Sequence, residues 1–228
     1  MKKAQITLFL FTGLIVLVIF SLIFYLVSAR ITPSNAPVYP IQQYVQMCIE
    51  SSAKNGLIIL GRQSGRLNPE YNFIEINDAK VPILVSEINR IKITEELNKY
   101  MDEAILECVN NFSDFNTYKI LFKLPKTETS INRKSVNFFV NFEIDVKDNE
   151  MVMKEDVFSY KANLRLYDMT GVANNIVNEP DYIYLKQLHN TDFKYTIFPY
   201  KEKLFVVIED PYYKLNGDNY KLVFAVNP

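Results

Sequence analysis

Apolar residues along this chain follow three successive patterns, and each predicts a different kind of element. Residues 6–29 form an uncharged apolar run, interrupted only by Thr7, Thr12, Gly13, Ser21 and Ser28. A helix needs about 20 such residues to cross a bilayer, so this run is long enough to span one. From Ile41 the apolar positions fall at helical spacing, Ile41, Tyr44, Val45 and Cys48, and continue less regularly to Leu57 and Leu60. This predicts a helix over residues 40–60, with Pro40 in its first turn and Gly61 as its C-terminal cap. A second, clearer helix is predicted to open at Thr94, a capping hydroxyl followed by Glu95 and Glu96 at the positive end of the helix dipole. Its stripe is Leu97, Tyr100, Met101, Ala104, Ile105, Cys108 and Phe112.

Beyond Phe112 the period changes to two. Val136, Phe138, Val140, Phe142, Ile144 and Val146 alternate with mainly polar residues, which predicts an antiparallel strand with one covered face. Residues 118–124 and 151–164 are its expected neighbours. Residues 72–76 and 81–85 predict a short hairpin turning at 77–80, and Pro82 places its second strand at an edge. Helical spacing returns at Leu166, Met169, Val172, Ala173, Ile176 and Val177, with a further short helix expected at Tyr182, Leu185 and Leu188. Strands over 193–198, 204–209 and 220–226 close the chain, with Asn216-Gly217 as the last turn. Helices packed on a mainly antiparallel β-sheet, behind an N-terminal transmembrane helix, make the expected fold class α+β.

Charge placement gives the apolar run a direction. Lys2 and Lys3 precede it and only Arg30 follows closely, so the N-terminus is expected in the cytoplasm and residues 31–228 outside. A secretory signal cut after Ala29 is the rival reading, but its apolar core is ordinarily about 7–15 residues. Pro33, Pro37 and Pro40 make residues 31–40 an extended linker. The expected organisation is therefore leader and transmembrane helix over 1–30, linker over 31–40, and an extracytoplasmic domain over 41–228. A helical part, 41–115, and a β-rich part, 116–228, are a possible subdivision of that domain. The bilayer is the expected partner of residues 6–29, with a protein partner at the cell surface left open. Removing Lys2 and Lys3 from the 25 basic residues leaves 23 against 26 acidic ones, so no basic field invites nucleic acid.

The sequence supports no catalytic, cofactor-binding or metal-ligating assignment, and no cofactor is expected. His189 is the single histidine, and no nucleophile elbow, phosphate-binding glycine loop or His-Glu-x-x-His occurs. The acid pairs Glu95-Glu96 and Glu209-Asp210 are read as helix capping and strand-end solvation rather than acid–base machinery. Arg62 and Arg66, set among Gly61 and Gly65, suit an anion poorly, because a helix C-terminus carries the negative end of the dipole. Aromatic residues in the strand region keep the buried period and are read as core. The two cysteines, Cys48 and Cys108, each fall on the apolar stripe of a predicted helix. In an oxidising compartment they are expected to form a disulfide with Cα atoms about 5.5–6 Å apart. Asn111-Phe112-Ser113 is the single glycosylation sequon, with its use left open.

Two resemblances add to this. Lys2-Lys3-Ala4-Gln5 abutting the apolar run resembles the class III signal of archaeal pilin-like proteins, which implies cleavage between Ala4 and Gln5. The chain departs from that pattern at Phe9, where pilins commonly carry an acid, and in the prolines that interrupt the helix. More broadly, the opening Gln5-Ile6-Thr7-Leu8-Phe9, then Val45, Cys48, Glu50, Ala53, Gly56-Leu57, Leu60-Gly61, Gln63, Gly65, Cys108 and the closing Phe224-Ala225-Val226 resemble membrane-anchored proteins of small-genome archaea. Ser64-Gly65 stands where that group often has two glycines, and Ala4 where glycine often precedes the glutamine. The resemblance implies an anchored extracytoplasmic domain and no particular activity. The expected function is a cell-surface structural or interaction protein. The alternatives are a pilin-like subunit processed before Gln5 and a membrane-anchored enzyme.

Overall fold

The computed structural model describes residues 38–67, 72–76, 79–148, 151–178 and 192–227, with positions 17, 18, 20 and 21. The leader, most of the apolar run and linker, the turn at Asn77-Asp78, the short helix expected around Leu185, and His189 lie outside those residues. Leu17, Val18, Phe20 and Ser21 are helical and exposed. No helix among the described residues is long and apolar enough to cross a membrane. The chain divides into two compact units, Met1–Tyr39 and Pro40–Pro228, and the α+β fold belongs to the second.

Helix α1 spans Val38–Arg62, so the expected linker loses its last three residues to the helix. Pro40 falls in the first turn, where a missing N–H costs nothing. Ile41, Val45, Cys48, Ile49, Ala53, Leu57 and Leu60 are buried at helical spacing. Gly61 does not cap this helix: it lies inside it, and a Cβ there would strike the Lys221 carbonyl oxygen. The ending falls instead to Ser64 and Gly65, both left-handed at φ 57° and 80°, with the Gly65 N–H donating to Leu60 O at 2.8 Å.

Helix α2 spans Arg90–Val109. Its cap is Asn89, whose Oδ1 accepts the Ile91 N–H at 2.9 Å, rather than Thr94. Thr94 sits inside the helix and donates to Ile91 O at 2.7 Å. The first turn hides from a periodicity reading because Ile91 and Lys92 face solvent and the buried stripe begins only at Ile93. That stripe is Ile93, Leu97, Met101, Ile105 and Val109, and Phe112 continues it from the left-handed turn that follows the helix.

The described residues form nine strands in chain order: β1 Phe73–Ile76, β2 Ala79–Leu84, β3 Lys119–Phe122, β4 Lys126–Ile131, β5 Val136–Asp148, β6 Met151–Ala162, β7 Lys194–Tyr200, β8 Lys203–Leu215 and β9 Asp218–Val226. Helix α3, Leu166–Asn178, separates β6 from β7. One sheet runs β1-β2-β9-β8-β7. It is antiparallel except where β2 pairs with β9 through Ile83↔Ala225 and Leu84↔Val226. Thus the proline-bearing strand β2 is internal and β1 is the edge, contrary to expectation. The sheet tolerates Pro82 because pairing with β9 starts only after it, while the Ile83 N–H donates to Asn72 O on the β1 side.

In the second sheet β5 is central, pairing with β3 and β4 along one edge and with β6 along the other. Its predicted inward set, from Val136 through Val146, is wholly buried. Strand β4 is an addition to the expected set, because Lys126-Thr127-Glu128-Thr129-Ser130 has no apolar alternation. Asp102 of α2 covers its edge by accepting the Thr127 N–H at 2.8 Å.

Helix α1 touches both sheets. Gln46 Nε2 donates to Ser159 O of β6 at 3.0 Å, and Tyr220 of β9 donates its hydroxyl to Leu57 O at 3.1 Å. Burial pushes that Tyr220 phenol far up. The Cys48–Cys108 disulfide joins α1 to α2 with Cα atoms 5.6 Å apart, inside the expected spacing. Beside it the Tyr44 hydroxyl donates to Cys108 O at 2.8 Å.

Candidate functional site

The flank of α2 next to its buried stripe carries Asn89, Lys92, Glu96, Lys99, Tyr100 and Glu103, recurring at helical spacing. A loop rises on each side of it. The first, residues 63–67, leaves α1 through its two left-handed positions and is fastened at three points. The Gly65 N–H closes on Leu60, Ser64 Oγ donates to Val223 O of β9, and the Leu67 N–H donates to Glu96 Oε2 at 2.6 Å. The second loop, residues 85–89, is held by α3. Asn174 Oδ1 accepts the Ile88 N–H at 2.6 Å while its Nδ2 donates to Ile88 O at 3.2 Å, the pairing a neighbouring strand would make. Asn178 Nδ2 donates to Glu87 Oε1 at 2.8 Å. Flank and loops enclose a cleft of about 810 Å³.

Charges of both signs line this cleft: Arg66, Lys92 and Lys99 against Glu87, Glu96 and Glu103. None of the three cations forms an ion pair among the described residues. Lys92 and Glu96 have the spacing of a helical ion pair, yet Glu96 turns instead to the Leu67 backbone. Leu67, Leu84 and Ile88 supply apolar surface, and Tyr100 lies against Gly56 of α1. Burial raises the Tyr100 phenol, and the charge of Glu107 adds to the effect. The arrangement offers donors, acceptors and charges on walls fixed by remote side chains, which suits binding of a polar, mixed-charge partner.

The acid pairs singled out from sequence behave differently from expectation. Glu95 is exposed, and Glu96 serves the cleft wall rather than the first turn. Glu209-Asp210 is not a solvated strand end. Asp210 is 0% exposed and receives Arg165 in a two-pronged pair, Nε to Oδ2 at 2.8 Å and Nη2 to Oδ1 at 2.7 Å. The Arg165 guanidinium also lies 4.3 Å from the Phe193 ring centroid and 5.2 Å from that of Tyr212. Glu209 accepts from Asn219 at 2.7 Å, which with nearby Lys221 and Lys194 holds its carboxyl below the usual range. Of the two arginines near the end of α1, only Arg66 lines the cleft.

Asn89, Asn174 and Asn178, which build the cleft, escape sequence reasoning because their targets are backbone groups and a neighbouring loop, with no period to betray them. The charges along α2 lie off its apolar stripe and form no motif in the sequence. No group of three or more His, Cys, Asp and Glu side chains is placed to hold a metal among the described residues. No known protein family, curated protein or solved structure matches this chain.

Proposed function

We propose that this chain is a single-pass membrane-anchored protein whose domain lies outside the cytoplasm and works as a surface interaction module, engaging a polar partner through the cleft beside α2. The observation that carries the reading is the Cys48–Cys108 bridge, formed by the only two cysteines of the chain. Such bridges persist in oxidising compartments and are rare in a reducing cytosol. The uncharged run over residues 6–29, entered from Lys2-Lys3, supports the same placement. The fixed walls and unpaired charges of the cleft favour recognition over a reaction.

Protease added to intact cells that make the protein should digest residues 31–228, leaving a small fragment in the membrane. Digestion only after the membrane is opened would overturn the topology. Sequencing the mature N-terminus should find Met1, Lys2 or Gln5 and the apolar run retained, whereas a start at Arg30 would remove the anchor. A photoreactive residue in place of Lys99 should give a discrete adduct in intact envelopes, lost on combining Lys92→Glu with Arg66→Glu. An adduct indifferent to those reversals would remove the cleft from the proposal.

A further inference from the structure

The cleft and the bridge leave one sequence motif unused, Asn111-Phe112-Ser113. Helix α2 ends just before it, and the chain then takes three successive left-handed residues, Asn110, Asn111 and Phe112, at φ 43°, 52° and 55°. Left-handed backbone is unusual for any residue but glycine and a marked outlier for one as bulky as phenylalanine. The turn is held from within. Phe112 is 3% exposed, with its ring centroid 5.4 Å from Phe122 and 6.4 Å from both Tyr44 and Phe142. Held this way, the turn carries Asn111 on the surface, and no hydrogen bond among the described residues engages its carboxamide. Ser113 is occupied differently, its Oγ accepting from Asn110 Nδ2 at 3.0 Å.

We infer that Asn111 carries an N-linked saccharide, attached outside the cytoplasm before the 110–113 turn folds. This rests on the topology proposed above. The donor is a saccharide carried on a lipid phosphate. Asn111 Nδ2 attacks the anomeric carbon, a C–N bond forms, the bond from that carbon to the phosphate oxygen breaks, and the lipid phosphate leaves with the electron pair. One Nδ2 proton passes to a base of the transferring enzyme. An acceptor of the Asn-x-Ser type presents its amide and hydroxyl together, which requires a surface-accessible and deformable stretch. The folded turn does not meet the second requirement. Its hydroxyl is engaged, its backbone is left-handed, its middle side chain is buried, and the Cys108 bridge to Cys48 fixes its approach. Transfer therefore precedes folding and bridge closure, while the finished turn leaves Asn111 pointing outward with room for the saccharide.

The test is mass spectrometry of the Asn111 peptide from full-length protein isolated from its own envelopes, alongside protease treatment of intact cells. The peptide should be heavier than its sequence by a saccharide in the native chain and in Ser113→Thr. It should have the bare mass in Asn111→Gln, for its own sequence, and in Ser113→Ala. Asn110→Ala, which removes the folded-state bond to Ser113 but keeps the motif, should stay modified. A bare Asn111 peptide from chains whose domain the protease reaches would overturn this site and leave the topology standing. A protected domain would overturn both. For the order of events, full chain in detergent is offered to envelope membranes in two forms. The reduced, unfolded form should accept saccharide and the oxidised, folded form should not, and equal transfer to the two would overturn the stated sequence.

Discussion

Two glycines of similar helical setting differ in what surrounds them, and that difference sets what alanine would do. An alanine in a helix interior gains up to about 1 kcal/mol over glycine. At Gly171 of α3 nothing lies within 4 Å of the position a methyl group would take, so Gly171→Ala is expected to stabilise the domain by about 0.5–1 kcal/mol. Gly61 faces the backbone of β9 and the Tyr220 ring, neither free to retreat, so Gly61→Ala should cost about 1–3 kcal/mol or more despite the same propensity gain. Urea midpoints of the two variants on opposite sides of the parent would bear this out, and matching shifts would refute it. Asp102 gives a residue-scale prediction in pH. Burial raises its carboxyl above the ordinary 3.8, and the bond from the Thr127 N–H only partly offsets that. The folded chain then holds a proton that the unfolded chain releases, so stability increases as the pH falls through the raised value and the cost is fully present at neutral pH. Asp102→Asn keeps an oxygen for the Thr127 N–H and removes the half-buried charge. It should raise the urea midpoint at pH 7 and leave it unchanged below pH 3.8, and an equal gain at both pH values would contradict the assignment.

Between elements, the Cys48–Cys108 bridge closes a loop of 60 residues that includes β1 and β2 as well as parts of both helices. A loop of that size restricts the unfolded chain enough to contribute about 2–4 kcal/mol. Replacing both cysteines by alanine should lower stability by that amount while leaving the far-ultraviolet circular dichroism unchanged, since Tyr44 still holds the Cys108 position by its carbonyl. Loss of helix signal would mean instead that the bridge is needed to form α1 or α2. The bridge is readable from sequence because both cysteines share their helix's apolar period, and β5 is readable because its alternation is strict and its whole inner set is buried. The Asn216-Gly217 turn is equally plain, with both residues left-handed as a two-residue hairpin loop demands. What escapes is pairing that no local pattern records. Strand β2 is internal because β9, far along the chain, lies beside it, and β4 is a strand because it pairs along β5 while an aspartate of α2 accepts an N–H from its other edge. Asp210 misleads for the same reason. Its partner Arg165 sits just before α3, and an isolated Glu-Asp pair near a proline looks like a solvated end. The cleft is the least readable feature, since Ser64, Asn174 and Asn178 act on distant parts of the chain.

At the scale of the whole domain, these remote links decide whether the helical part, 41–115, and the β-rich part, 116–228, are separable. Strand β2 borrows its inner neighbour from β9, and the parallel ladder between them crosses the proposed division. Helix α1 buries Leu57 and Leu60 where Tyr220 and the Lys221 backbone reach it, and the end of α1 is fastened to Val223 through Ser64. Helix α2 covers the edge of β4, while Phe112 fills the space between Tyr44 of α1 and Phe142 of β5. Cutting the chain at residue 115 would expose apolar faces on both pieces. It would leave Tyr220, Leu222 and Phe224 of β9 without the helix that Tyr220 donates to, and each large side chain so uncovered forfeits about 1.5–3 kcal/mol of burial. Domain stabilities are ordinarily only about 5–15 kcal/mol, which the loss of several such side chains would consume, so neither piece is expected to fold alone. Residues 40–228 are therefore expected to unfold in one cooperative transition, with fluorescence and circular dichroism reporting the same urea midpoint. Residues 116–228 expressed alone should show no sigmoidal transition and little amide protection in β9. Cooperative unfolding of that fragment, or two separated midpoints in the intact domain, would mean that β9 does not depend on α1 and β2 for its stability.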